Sequence, residues 1–357
     1  MDTDASRFQE IVSSEYAGIA PGYLNTASHG LAPARTAAAL RSAVDAWAAG
    51  RPDLDGYEAA VAAARAAYAG LVGVAVERVA LASTVAEAVG LIAAALPAGA
   101  EVVAFEGDFS SLVQPFAARA DLKLRLVPLE GIADAVRPST ALVAVSGAQS
   151  ADGRVADLPA IRSAAAAAGA RVLIDGTQSV GWLPLCADDY DFVVAHGYKW
   201  LVSPHGACFL TVREGAEHAL SAGSAGWYAA ADRWANCYGP IERFAAAAHA
   251  FDSRPAYLPF VGAAASLSLL AELGVDAVRA HDLALAARLR EGFAALGYPA
   301  VPGDSAIVSV PGAPSSYPSR LSAAGIRFSA PLGAIRLAVH LHNTSADVER
   351  VLNALAP

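Results

Sequence analysis

Between residues 78 and 212 short apolar runs keep returning: RVALAS (78–83), EVVAF (101–105), ALVAVS (141–146), RVLID (171–175) and DFVVAH (191–196), with helically spaced stretches between them. Strands that alternate with helices in this way imply right-handed crossovers and a mostly parallel sheet covered on both faces. Runs that stay apolar without alternation are what such doubly covered strands look like. RVLID closes on an acid and DFVVAH on a histidine, so both read as central strands with functional residues at their carboxyl ends. A nucleotide-binding doubly wound domain would show the same alternation. However, no G-x-G-x-x-G follows the first strands and no Walker lysine exists, so both of those alternatives fall away.

Chemistry is concentrated in the block RVLIDGTQSVGWLPLCADDYDFVVAHGYKWLVSPHGACFLTV, residues 171 to 212. The chain has just two lysines. Lys123, in DLKLRLVPL, alternates with Arg125 on what reads as the wet face of an edge strand. Lys199 sits between Tyr198 and Trp200, where desolvation penalises an ammonium and lowers its pKa. Any lysine used covalently is therefore Lys199. An Asp ending one strand and a buried Lys after the next are what pyridoxal phosphate chemistry needs. The amine condenses with the cofactor aldehyde, and the carboxylate of Asp175 keeps the pyridine nitrogen protonated. A plain helix N-cap at Asp175 and a snorkelling Lys199 would account for the pair without any chemistry.

The block resembles the class V aminotransferase family of fold-type I pyridoxal phosphate enzymes, through Asp175-Gly176-Thr177-Gln178 and then His196-Gly197-Tyr198-Lys199. That family includes cysteine desulfurases, kynureninases, isopenicillin-N epimerase-like proteins and carbon–sulfur lyases. The resemblance implies an α/β architecture of the aspartate aminotransferase type: a large domain with a mostly parallel seven-stranded sheet and a smaller α+β C-terminal domain. It also implies a homodimer with its active sites at the interface. The expected division is 1–24 as a segment near the active site, 25–250 as the cofactor domain and 251–357 as the small domain.

By position, Gln178 inherits a hydrogen bond to the cofactor's 3-hydroxyl, and His196 and Tyr198 inherit contacts to its phosphate. TVAEAVGLIAAAL is a helix capped by Ser83 or Thr84 with Glu87 in its first turn. Its start offers free N–H groups to a phosphate. Family members place paired threonines there; this chain has Val85 and Ala86 after Thr84. Phe109 takes the position of the ring stacked on the cofactor. Ser150, beside Gln149, replaces a usual Asn near cofactor and substrate. Ser253 and Arg254 match the segment that reaches across the dimer to the neighbour's phosphate, although the usual Gly-Thr is missing. In IRLAVHLHNT, Arg336 holds the position that pairs with the substrate α-carboxylate. The turn-rich YLNTASHG matches the segment that passes the substrate pocket, so Asn25, Thr26, Ser28 and His29 are candidate substrate contacts. Trp227, Tyr228 and Trp234 line either a pocket or a dimer contact.

A net charge of −9 and a pI near 5.3, with no basic run, argue against nucleic acid or an anionic membrane as partner. The apolar stretch 79–105 is broken by Glu87, Pro97 and Glu101, which argues against a membrane span. Cys186, Cys208 and Cys237 show no metal-like spacing. With an acidic opening that lacks a signal-peptide pattern, they fit a reduced cytoplasm.

The expected activity is removal of the Cα proton of an amino acid by Lys199, followed by β-elimination, as in the carbon–sulfur lyases. Transamination, epimerisation and decarboxylation use the same residues. A cofactor-binding sensor without catalysis is the alternative from another class. In cysteine desulfurases a nucleophilic cysteine stands shortly before the closing Arg, and the matching GIRFSAPLGAIR has none.

Overall fold

The computed structural model describes residues 2–223 and 225–356. Seven strands form the large sheet: β1 Val79–Ala82, β2 Glu101–Phe105, β3 Lys123–Val127, β4 Thr140–Ser146, β5 Arg171–Asp175, β6 Phe192–His196 and β7 Cys208–Val212, in the order β1-β7-β6-β5-β4-β2-β3. Neighbours from β3 through β6 run parallel, while β7 is antiparallel to both β6 and β1. Two strands, β8 Ile307–Val310 and β9 Ile335–Ala338, make a separate antiparallel ladder. The helices are α1 Asp2–Glu15, α2 Ala34–Ala48, α3 Leu54–Leu71, α4 Val85–Ala95, α5 Ser110–Ala117, α6 Ile132–Ala135, α7 Leu158–Ala168, α8 Tyr257–Leu273, α9 Val275–Ala295, α10 Tyr317–Ala323 and α11 Ser345–Leu355.

Successive residues of the central strands point into opposite apolar layers. Val103, Val145, Ile174 and Val193 join Trp182, Trp200, Phe260 and Leu267 on one face. Val102, Ala144, Leu173 and Val194 meet Val89 and Ile92 of α4 and Phe116 of α5 on the other. This two-sided burial explains why the strands read as unbroken apolar runs. The edge strand β3 leaves Lys123 exposed, as expected of a solvated face. Tyr68 of α3 stacks on Phe209 of β7 with ring centroids 4.4 Å apart.

A third apolar cluster gathers Leu285, Leu289 and Phe293 of α9, Val308, Leu337, and Val348 and Val351 of α11 around Leu24. The N-terminal segment reaches this cluster as an extra extended element. Leu24 N–H donates to Arg327 O at 2.9 Å, Ala338 N–H donates to Leu24 O at 2.8 Å, and Asn25 bridges Ala338 in parallel. The first helix ends at Glu15, just before the chain turns through Gly18 at φ +82°. Among the described residues no single helix is long and apolar enough to cross a membrane.

Candidate active site

Parallel pairing sets the carboxyl ends of β4, β5 and β6 side by side, with Ser146 opposite Asp175 and Asp175 opposite Val194. Clefts in open α/β sheets form at such ends. Ser146, Asp175 and His196 line one here, with Thr84, Val85, Phe109, Ser150, Thr177, Gln178, Tyr198 and Lys199. It opens into a second cavity that shares Phe109, Ser150, Tyr198 and Lys199 and adds Ser28 and Arg336.

Lys199 is only 4% exposed, with its Nζ 5.2 Å from the Phe109 ring centroid and 5.3 Å from that of Tyr198. Burial brings its pKa down from 10.5 to about 8; the Asp175 carboxylate pulls upward and Arg336 pushes further down. Asp175 is carried up from 3.8 to about 6, by burial first, against the hydrogen bonding of Thr177, whose N–H donates to Oδ1 at 2.8 Å. The same Thr177 accepts at its hydroxyl from the His196 N–H, 3.1 Å away, tying the end of β6 to the turn after β5. His196 is held near 4 by burial, by His205 and by Lys199; its Nε2 accepts from Gly206 N–H at 3.1 Å, which leaves the ring proton on Nδ1.

Gln178 is fully engaged in the wall. Its Nε2 donates to Ala27 O at 2.8 Å and to Ser150 Oγ at 2.9 Å, and its Oε1 accepts from Trp200 Nε1 at 2.8 Å. Arg336 is buried, yet its partners are neutral: Ser150 O and Ser150 Oγ through Nη1, and Ser28 Oγ at 2.7 Å through Nη2. Its Nε has no partner, and burial alone draws its pKa down to about 10. An internal salt bridge would have explained this arginine, but among the described residues no carboxylate pairs with it. A buried guanidinium with spare donors calls for an anion.

Thr84 is the cap of α4: its hydroxyl accepts from Glu87 N–H at 3.2 Å, and Ser83 N–H donates back to Glu87 at 2.8 Å. The N–H groups of Val85 and Ala86 stand ahead of any carbonyl within the helix, and Val85 lines the cleft. Other sequence candidates lie elsewhere. Arg254 is 5.7 Å over the Trp227 ring and 6.0 Å over that of Tyr257, outside the cleft, and Ser253 donates to Glu87. Asn25 sits in the bridge to Ala338. His29 stacks on His205 at 5.2 Å beside the cleft, and Gln149 turns behind it towards Asp108 and Ser146. Trp227, Tyr228 and Trp234 line neither cavity; Tyr228 instead donates to Glu58.

Four contributors escaped the sequence reading. Thr177 lies inside the Asp-x-x-Gln spacing. Asp108 precedes Phe109 and accepts from the Ser146 N–H and hydroxyl and from Phe109 N–H, which pins the ring at the cleft. His205, six residues past Lys199, stacks on Tyr198 at 3.9 Å. Gly30 brings the N-terminal segment so close that a Cβ there would stand 2.0 Å from Lys199 O. The SHG and SPHG turns were the signals that could have pointed to the last two.

These residues fit pyridoxal phosphate on chemical grounds. The cleft holds a buried primary amine of lowered pKa for the aldehyde, a buried carboxylate to keep a proton on the ring nitrogen, an aromatic ring beside the amine, and a helix start with free N–H groups for the phosphate. The model of the aminotransferase class-V family matches residues 55–310. An uncharacterized aminotransferase, YcbU, of Bacillus subtilis is 27% identical over 311 residues, covering 82% of each chain. Isopenicillin N epimerase of Amycolatopsis lactamdurans is 28% identical over 340 residues, covering 82% of this chain and 83% of its own. Among solved structures, the cystine C–S lyase C-DES in complex with its reaction product cysteine persulfide superposes with a TM-score of 0.84 at 21% identity, covering 95% of this chain and 98% of its own. A further C-DES structure carries glycine covalently linked to its pyridoxal phosphate cofactor and gives a TM-score of 0.86 at 20% identity, with 96% and 98% covered. The likeness to both shows the shared fold. The chain belongs to the aminotransferase class-V family and is a pyridoxal 5'-phosphate-dependent enzyme of fold type I.

Proposed function

We propose that the enzyme eliminates the sulfur substituent of an S-substituted cysteine. In balance, R–S–CH2–CH(NH3+)–COO− and water give the thiol R–SH, pyruvate and ammonium. One observation carries the reading: the buried, carboxylate-free guanidinium of Arg336 and the amine of Lys199 face a single cavity. Arg336 takes the substrate α-carboxylate through its donor fork. Lys199, half deprotonated near pH 8, takes the Cα proton. The electron pair left on Cα moves towards Cβ as the Cβ–S bond breaks, and the sulfur leaves with its pair and gains a proton. Bound pyridoxal phosphate supplies the electron sink that makes the Cα–H bond acidic, with Asp175 the residue to hold a proton at its ring nitrogen.

None of the three cysteines lines the cleft: Cys208 is buried in β7, Cys186 is exposed and Cys237 lies in the 213–256 segment. Sulfur therefore has no protein thiol to move onto and departs as free thiol. The C–S lyase activity in the name of C-DES agrees with this outcome. A second reading, transamination, is favoured by the naming of the Bacillus relative as an aminotransferase. The reading includes a homodimer, in which Ser253 and Arg254 serve the partner's cofactor phosphate, and light scattering tests it.

Mass spectrometry of the products formed from S-methylcysteine decides among the reactions. Thiol with pyruvate is the expected result. A sulfur-bearing keto acid would establish transamination, an inverted amino acid epimerisation, and an amine decarboxylation. An unchanged substrate and an unchanged visible spectrum would leave a cofactor-binding protein without catalysis.

A further inference from the structure

Leu332 is 95% exposed and held at φ +52°, ψ +24°, in the left-handed region. A leucine there is strained by its Cβ and gains nothing by burial, where glycine or asparagine would serve the turn better. Neither stability nor local propensity accounts for it. Its surroundings do. The turn that carries it is closed at its base on Arg336 itself: Arg336 N–H donates to Ser329 O at 2.7 Å and Ser329 N–H donates to Arg336 O at 3.2 Å. Leu332 is thus fixed relative to the carboxylate clamp, and with Pro331 it lines the outer cavity across which Phe109, 46% exposed, also stands.

The charged groups of that cavity, and the serines beside Arg336, are already assigned. Ser28 and Ser150 accept from Arg336, and the Asp108 carboxylate, the one acidic group among the described lining residues, is consumed by Ser146 and Phe109. With Arg336 and Lys199 occupied at the α-carboxylate and Cα, these residues leave no free charge to meet a charged side chain. Ala27, Ala151, Pro331, Leu332 and Phe109 offer apolar surface instead.

We propose that Leu332 and Phe109 form the subsite for the substituent beyond the substrate's β-carbon, and that this substituent is uncharged and apolar, an S-alkyl or S-aryl group. The assignment rests on the reading that Arg336 binds the α-carboxylate of a cysteine conjugate. In use, the leucine side chain closes over the substituent and exchanges water contact for apolar contact, the gain its exposed position lacks.

The test compares S-benzylcysteine, S-methylcysteine and S-carboxymethylcysteine as substrates of the holoenzyme and of its Leu332→Ser and Leu332→Met variants. Substitution at a residue this exposed leaves the fold intact, which thermal melting verifies. The wild type should prefer S-benzyl over S-carboxymethyl. Leu332→Ser should raise KM for the S-benzyl substrate about tenfold more than for the S-methyl one, a size typical of lost apolar contact in a pocket, and Leu332→Met should restore most of the preference. A second readout is calorimetric affinity for 3-(benzylthio)propanoate against 3-(methylthio)propanoate. These ligands keep the carboxylate and the substituent but have no amine with which to react. Should the products prove not to be thiol and pyruvate while the two propanoates still differ in a Leu332-dependent way, the elimination reading fails and the subsite stands. Equal handling of benzyl and carboxymethyl substrates, or a benzyl-to-methyl affinity ratio untouched by Leu332→Ser, would overturn the subsite.

Discussion

At the scale of single residues the cleft is governed by three charges out of water, those of Lys199, Asp175 and Arg336. Lys199, with its pKa brought down to about 8, is mostly ammonium below that pH and mostly free amine above it. Capture of pyridoxal phosphate by the cofactor-free protein, followed by absorbance, should therefore quicken as pH rises and level off above about 8, rather than near the ordinary 10.5 of lysine. The Asp175 carboxylate favours the ammonium, so Asp175→Asn should move that midpoint to lower pH; an upward move would contradict the attraction between the two groups. Lys199→Ala should cost about 10²–10⁴-fold in turnover, the size of a lost general base. At Arg336, hydrogen bonds to a charged group each contribute about 1.5–3 kcal/mol. With both bonds of the donor fork lost, Arg336→Ala should then raise KM by about 10²–10⁴-fold, with a smaller change in kcat. Scarcity made Lys199 legible in the sequence, since a chain with two lysines has few places to put covalent chemistry. Thr177 and Asp108 were not legible, because what they do is accept and donate across strand ends that meet only in the folded sheet.

At the scale of elements, apolar runs announced the central strands, but periodicity carries no direction. The short link from residue 197 to 207 lets β7 return antiparallel to β6, which no pattern of side chains reports. The start of α8 at Tyr257 has a local reason too, since Pro259 is tolerated in a first turn. A bidentate pair fastens these elements. Arg65 of α3 meets Asp252 at 2.7 and 3.0 Å, and Asp252 also accepts from Leu81 N–H of β1 at 2.9 Å, all of it buried. Removing one partner leaves the other charge buried alone, so Arg65→Ala should lower the free energy of unfolding by about 3–5 kcal/mol in denaturant titration. The contact of the N-terminal segment with the lysine turn is tighter still. Because a Cβ at Gly30 meets Lys199 O, Gly30→Ala should reduce cofactor uptake while costing about 1–3 kcal/mol of stability, the range for overpacking. A variant with normal uptake and full stability would show that the segment can yield without disturbing Lys199.

Across the whole molecule, the cleft is assembled from parts that are remote in sequence: the strand ends of the large sheet, the turn before β9, and residues 24–30. Ser28 and Arg336 touch although 308 positions separate them. Leu24 belongs to the third apolar cluster and is fully buried, so Leu24→Ala should cost about 2–5 kcal/mol and weaken carboxylate binding with it, because the segment that it anchors carries Ser28. The sequence placed this segment near the pocket only through its family likeness; its pairing with Arg327 and Ala338 is a long-range contact that no local pattern encodes. Such contacts also carry a cost in loop-closure entropy that is met late in folding. On the ribosome Leu24 emerges long before Arg327 and Ala338, the partners it pairs with. Until those partners emerge, Leu24 has no strand to pair with and Ser28 no guanidinium to meet, so competence to hold a substrate carboxylate waits for the chain to reach Arg336.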